Sequence, residues 1–282
     1  MRRPRSKRHH AARVGVLAGL ALGLAFGAAA EPAGFTQVRS YSAPAARQAV
    51  AVDAQHFYAI GNHWIEKYER SSGRKVGEWK GEAGGPIIHL NSGILIDGEL
   101  WCAHSNYPGI PMVSSLERFD PVSLEHTGSH SFGIQQGSAT WVDRRDGAWW
   151  VAFAHYGELG GGGKKGGEPG KGPEWTSLVR FDDRWRRTGG WVFPAELVKG
   201  FAPSSNSGGL FAPDGMLWAT GHDAAEIYVL RLPEAGSVLE WVATLPAPIA
   251  GQGIARDPSD ERALWGIVKR TREVVQMKRS DP

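Results

Sequence analysis

Four histidines flank apolar runs in a chain of 282 residues. His89 lies just ahead of one apolar run, and His104, His155 and His222 close others. Neutral imidazoles gathered round one cavity hold a transition metal, or supply an acid and a base near neutral pH. None of the four has another histidine two or four residues away, the spacings at which two imidazoles on one element share a metal. No metal site is therefore assigned, and a cofactor is left open. The plain alternative is that each ring caps a strand or bonds a loop carbonyl. Asp223 follows His222 directly. The two form an acid/base pair only within a loop, because neighbours on a strand point to opposite sides. Amides recur at similar places: Gln48, Asn91, Asn106, Asn206 and Gln252.

What positions these groups is a repeat. "SGILIDGELWCAH" (Ser92 to His104) and "GGLFAPDGMLWATGH" (Gly208 to His222) share one plan: a small residue, an apolar run, Asp-Gly, Leu-Trp, then histidine. Five copies of its first half are present: "QAVAVD", "SGILID", "SATWVD", "GLFAPD" and "QGIARD", starting at Gln48, Ser92, Ser138, Gly209 and Gln252. Each is followed by a second apolar piece with an aromatic residue near its start: Tyr58, Trp101, Trp150, Trp218 and Trp265. Third pieces follow, such as "IEKYER", "LERFD" and "LVRFD". The copies are 44, 46, 71 and 43 residues apart, and the long interval holds "GELGGGGKKGGEPGKGP" (Gly157 to Pro173). Short strands at a period in the forties predict an all-β, five-bladed β-propeller. Its twelve tryptophans suit the wedges between blades. No segment shows helical periodicity of normal length. The expected blades are 44-83, 84-133, 134-194, 195-247, and 248-282 completed by the amino-terminal strand 34-43. Six blades, one of them degenerate, is the competing architecture.

Topology then predicts the site. The first strand of a blade lines the central channel and the second returns beside it. First-strand starts and second-strand ends thus open on one face, the channel mouth. The mouth positions are Gln48, His89 with Asn91 and Ser92, Gln136 with Ser138, Asn206 with Ser207, and Gln252 at the starts. At the ends they are Asn62-His63, His104 with Asn106, His155-Tyr156, His222-Asp223 and Lys269-Arg270. His104, His155, His222 and Asp223 are the candidate catalytic groups. Gln48, His89, Asn91, Asn106, Asn206 and Gln252 are the candidate ligand contacts. The repeated Asp53, Asp97, Asp143, Asp214 and Asp257 fall at the opposite ends and are read as turn residues that bond backbone donors. A glycosidase needs paired carboxylates in the channel. The mouth offers only Asp223, with Glu82 and Glu158 from loops, so that class is disfavoured. Nine of the seventeen residues of the 157-173 insert are glycine. It is expected to be a mobile loop over the mouth.

The first thirty residues read as a secretory signal. Six basic residues and no acid precede or edge the apolar run "VGVLAGLALGLAFG", and "AAA" offers a cleavage site before Glu31. The whole chain carries 32 basic and 29 acidic residues, net +3. Losing the signal leaves 26 against 29, net −3. No basic cluster suggests nucleic acid, and no later segment suits a membrane span. A monomer, periplasmic or secreted, binding a small polar molecule or peptide, is the expectation. Cys102, the single cysteine, lies in an apolar strand and reads as core.

The chain resembles the five-bladed propeller superfamily that contains the plant-type glutaminyl cyclases. The phrases that carry this are "IEKYERSSGRKVGEW" and "GQGIARDPSDERALWGI". The family's catalytic glutamate follows a Leu-Tyr pair, whereas "FYAIGN" has Ala59 here, so no catalytic residue carries over. The resemblance implies the fold and, by analogy of fold alone, cyclisation of amino-terminal glutamine. Other exported propellers act as lactonases, cycloisomerases or binding scaffolds, and the repeat does not separate these.

Overall fold

A computed structural model describes residues 34–134, 136–157 and 166–280. The expected signal, 1-30, lies outside them, as does Glu158. The described chain folds into five four-stranded antiparallel sheets. Blade one is β2 (Ala49–Val52), β3 (His56–Gly61), β4 (Trp64–Glu69) and β5 (Lys75–Lys80). Blade two is β6 (Ile94–Ile96), β7 (Glu99–Ser105), β8 (Ser114–Phe119) and β9 (His126–Gly133). Blade three is β10 (Ser138–Arg145), β11 (Ala148–Ala154), β12 (Ser177–Phe181) and β13 (Arg187–Val192). Blade four is β14 (Gly208–Phe211), β15 (Leu217–Thr220), β16 (Glu226–Arg231) and β17 (Glu240–Pro246). Blade five is β18 (Ala255–Arg256), β19 (Ala263–Val268) and β20 (Glu273–Arg279), with β1 (Phe35–Ser42) as its outer strand.

β1 runs antiparallel to β20, from Phe35 opposite Arg279 to Tyr41 opposite Val274. This joins the two ends of the ring and removes an open edge. The innermost strands touch in the order β2, β6, β10, β14, β18 and back to β2. Five apolar clusters fill the five wedges between neighbouring blades. One sets Trp141 and Trp150 of blade three against Phe211 and Tyr228 of blade four; another sets Phe57 of blade one against Trp265 and Ile267 of blade five. The period of the sequence is thus the period of the core. Cys102 belongs to the wedge between blades one and two, fully buried, and burial raises its thiol pKa.

Two local features depart from expectation. A short helix, α1 (Ala195–Phe201), joins blades three and four. It buries Leu197, Val198 and Phe201, one face of two turns, too short to leave a periodic trace. Asp143 is not a turn residue. In blade two Asp97 and Gly98 both take positive φ, 51° and 82°, as a two-residue hairpin demands. In blade three Asp146 and Gly147 do this instead, at 51° and 71°. β10 therefore runs two residues past the repeat's Asp, to Arg145, and Asp143 is fully buried inside it. Its carboxylate takes Arg256 of β18 at 2.8 Å on each oxygen and the Phe211 backbone N–H of β14 at 2.7 Å. One side chain ties blades three, four and five across the channel. Asp53 and Asp214 do accept turn N–H groups, from Gln55 and Met216. Asp257 accepts Ser259 N–H in the same way, but also takes the indole of Trp265 and the guanidinium of Arg70. Among the described residues no helix is long and apolar enough to cross a membrane.

Candidate functional site

The channel mouth holds a cavity of about 250 Å³. Its lining brings together Gln48, His89, Asn91, His222 and Gln252 from the expected set, with Asn62, Tyr107, Pro108, Thr140, Tyr156, Ser204, Ser207 and Lys269. The amides are pinned. Gln48 Nε2 donates to Asn62 Oδ1 at 2.6 Å. Asn91 Nδ2 donates to the Ala139 carbonyl at 2.8 Å. Gln252 Nε2 donates to the His222 carbonyl at 2.9 Å.

Gln252 holds φ at 69°, a left-handed conformation uncommon for a residue with a side chain. The preceding Gly251 has φ 59°, and a Cβ there would lie 2.4 Å from the Gly221 carbonyl oxygen. The Gly-Gln step therefore brings the fifth blade's entry loop close under the His222 loop, and Gln252 is aimed by strained backbone of the kind that gathers at sites.

His89 is half-buried, and burial pushes its pKa down to about 4, with the charges of His104 and Lys269 adding to this and a bond to the Asn91 side chain opposing it. It is a neutral ring at neutral pH. It meets Tyr107 at 5.2 Å between ring centroids, and Tyr107 meets Tyr156 at 4.8 Å. These three form one aromatic wall.

The opposite wall is charged. His222 and Asp223 lie in a loop, the condition for their pairing. His222 Nδ1 is 2.6 Å from Asp223 Oδ2, and its Nε2 is 3.4 Å from Lys269 Nζ. An ammonium only donates and a carboxylate only accepts, so the tautomer of His222 that satisfies both contacts carries its proton on Nδ1. Burial lowers the pKa of Lys269; Asp223 opposes that shift, and Arg272 and Arg47 add to it. Lys269 makes no ion pair among the described residues, and no Asp or Glu lines the cavity. Asp223 itself stands beside the cavity, its side chain 80% exposed.

Four of the expected residues lie behind the lining, with their polar atoms engaged. His104 Nδ1 meets Ser115 Oγ at 2.9 Å, and its Nε2 accepts the Ile88 N–H at 3.2 Å. His155 donates through Nε2 to the Gln136 carbonyl at 3.2 Å. Burial lowers the pKa of both rings. Asn106 accepts Val113 N–H and donates to the Pro111 carbonyl, closing the Tyr107 loop. Asn206 is fully buried; it accepts the Trp141 indole and donates to the carbonyls of Gly208 and Thr220. Part of the glycine-rich insert is packed, contrary to expectation. Glu168 accepts the Met112 N–H at 3.0 Å, and a Cβ on Gly166 would meet the Tyr107 ring at 2.7 Å. This end of the insert buttresses the Tyr107 loop.

Lys269, Asn62 and Tyr156 were legible as second-strand ends, but their residue types did not single them out. Ser207 was legible beside Asn206 at a first-strand start, whereas Tyr107 and Ser204 come from loops whose paths no repeat fixes. Among the described residues no three His, Cys, Asp or Glu side chains gather as a metal would require.

No family model matches the chain, and no curated protein matches it. Its backbone superposes on Myxococcus xanthus glutaminyl cyclase with a TM-score of 0.58, over 88% of this chain and 98% of that one. The chain shares the five-bladed propeller fold of that structure. At 10% identity the likeness is one of fold alone. A Xanthomonas campestris gluconolactonase lies further off, with a TM-score of 0.49 at 11% identity over 82% and 71% of the two chains. That likeness is too loose to carry an argument.

Proposed function

We propose that this protein is an exported propeller enzyme that takes a small, carboxylate-bearing polar ligand at the channel mouth. The observation that carries this is Lys269: a half-buried ammonium that makes no direct ion pair among the described residues, facing a cavity of neutral hydrogen-bonding groups. A cation left in that state costs stability, and a ligand anion offsets the cost. Once the ligand's carboxylate draws the ammonium, His222 Nε2 is released as a base. Asp223 on Nδ1 orients the ring and stabilises the imidazolium that forms. Nε2 would take the proton of an attacking N–H or O–H of the ligand and return it to the departing group. That is the chemistry of ring closure or opening in the cyclase, lactonase or cycloisomerase classes. The alternative is a non-catalytic periplasmic scaffold, favoured by the amides that are pinned to one another and so preorganised for binding.

The test is calorimetric titration with a panel of small carboxylates, lactones and amides, followed by product analysis. Lys269→Met should weaken binding by roughly 30-fold or more, the loss usual when one partner of a buried charge pair is truncated. His222→Ala should leave binding largely intact and abolish turnover. Binding without turnover in the wild type supports the scaffold; binding unaffected by Lys269→Met removes the reading.

A further inference from the structure

A second cleft of about 320 Å³ adjoins the mouth, and the two share Ser204 and His222 as common walls. α1 and the loop after it supply one side, through Gly200, Phe201 and Pro203; the Gly221–Ala224 loop supplies the other. The floor is an aromatic pair, Phe201 and Tyr228, edge to face at 5.4 Å. Gly221 keeps this floor uncovered: a Cβ there would lie 3.0 Å from the Phe201 ring and 4.0 Å from that of Tyr228. A glycine whose missing side chain would sit on an aromatic pair leaves room for a side chain from elsewhere. The mouth, at about 250 Å³, is smaller than the cavities that swallow a drug-sized ligand whole, roughly 300 to 1,000 Å³.

We infer that the two cavities are successive subsites for a peptide-like chain, with its terminal carboxylate at Lys269 and an apolar side chain of the preceding residue over Phe201 and Tyr228. This rests on the mouth reading above. The polar mouth takes the end of the chain, whose carboxylate meets the ammonium and whose amide meets the fixed side chains of Gln48, Asn62 and Gln252. The chain then passes His222 and Ser204, the only residues common to both cavities. The next side chain buries apolar surface on the aromatic pair. Asp223 stands at the cleft and not at the mouth, within reach of a backbone N–H of the chain.

The fold permits a direct test. A Cβ on Gly200 meets nothing within 4 Å and Gly200 lines the cleft, so Gly200→Trp is the substitution chosen to occupy it. The probes are N-acetylalanine and N-acetylphenylalanylalanine, titrated calorimetrically into wild type, Gly200→Trp and Lys269→Met. The longer probe should bind the wild type about tenfold or more tightly than the shorter, the return for burying one aromatic side chain. Gly200→Trp should erase that advantage and leave the affinity for N-acetylalanine as it is. Lys269→Met should weaken both. Equal affinity of the two probes for the wild type, or an advantage that survives Gly200→Trp, overturns the second subsite while the mouth reading stands. Failure of both probes to bind, or indifference of both to Lys269→Met, overturns the mouth reading and this one with it; failure of the longer probe alone overturns the second subsite. Should Gly200→Trp fail to fold, Ala224→Trp on the other loop fills the same cleft.

Discussion

His89 makes the stability of the propeller depend on pH in a defined window. The ring is neutral in the fold, with a pKa near 4, against 6.5 for an unperturbed histidine. Above pH 6.5 it is neutral folded and unfolded, and contributes no pH dependence. As pH falls below 6.5 the unfolded chain takes up a proton that the folded chain refuses, so the fold loses stability until pH 4 is passed. At about 1.4 kcal/mol per unit, the drop from 6.5 to about 4 corresponds to about 3 kcal/mol. In a domain of this size that is roughly 10 °C of melting temperature. The perturbation is His89→Gln, which removes the titration and keeps a polar side chain beside Asn91. Scanning calorimetry from pH 7 to pH 4 on wild type and variant isolates the effect, because the titrating carboxylates and the buried His104 and His155, whose pKa values are also lowered, are common to both. The variant should lose roughly 10 °C less than the wild type across the window. Parallel curves would refute the reasoning, since they would mean that the ring accepts its proton in the folded mouth as readily as in water.

Two further outcomes are expected. Asp143→Ala leaves the Arg256 guanidinium and the Phe211 N–H without their carboxylate, and should cost about 3 kcal/mol in urea unfolding, the low end for a broken buried pair, because Arg256 is 36% exposed. Asp143→Val combined with Arg256→Met should recover at least half of that loss, and a double variant no better than the single would count against a charge-pair origin. The basic start, apolar run and Ala28 to Ala30 motivate export: protein recovered from its host envelope or medium should begin near Glu31 by amino-terminal sequencing, and an intact Met1 on that material would contradict it.

The repeat was enough to determine the propeller architecture. An apolar run, an Asp turn and an aromatic partner recurring five times can bury their faces only against one another, so the propeller and the pairing of Phe35 to Tyr41 with the last blade are legible in the pattern, while five blades over six is decided by the five four-stranded sheets. The same logic located the mouth, because strand polarity is a property of the chain's order. Which mouth residues face the cavity was decided by tertiary structure. His104, His155 and His222 all close second apolar pieces and His89 precedes a first strand, yet only His89 and His222 line the cavity; the other two turn to Ser115 and to the Gln136 carbonyl. The difference lies in the loops around each ring, and loops differ between repeats where strands do not. Lys269 shows the same limit. Its place was legible at a strand end, but its half-burial and its contact with His222 arise only when blade five closes against blade four. Asp143 is the converse case: the repeat marks it as a turn residue, and a hairpin displaced to Asp146-Gly147 turns it into a cross-channel tie. Local pattern specifies what every blade must share, whereas the asymmetry that makes a site comes from contacts between segments far apart in the chain.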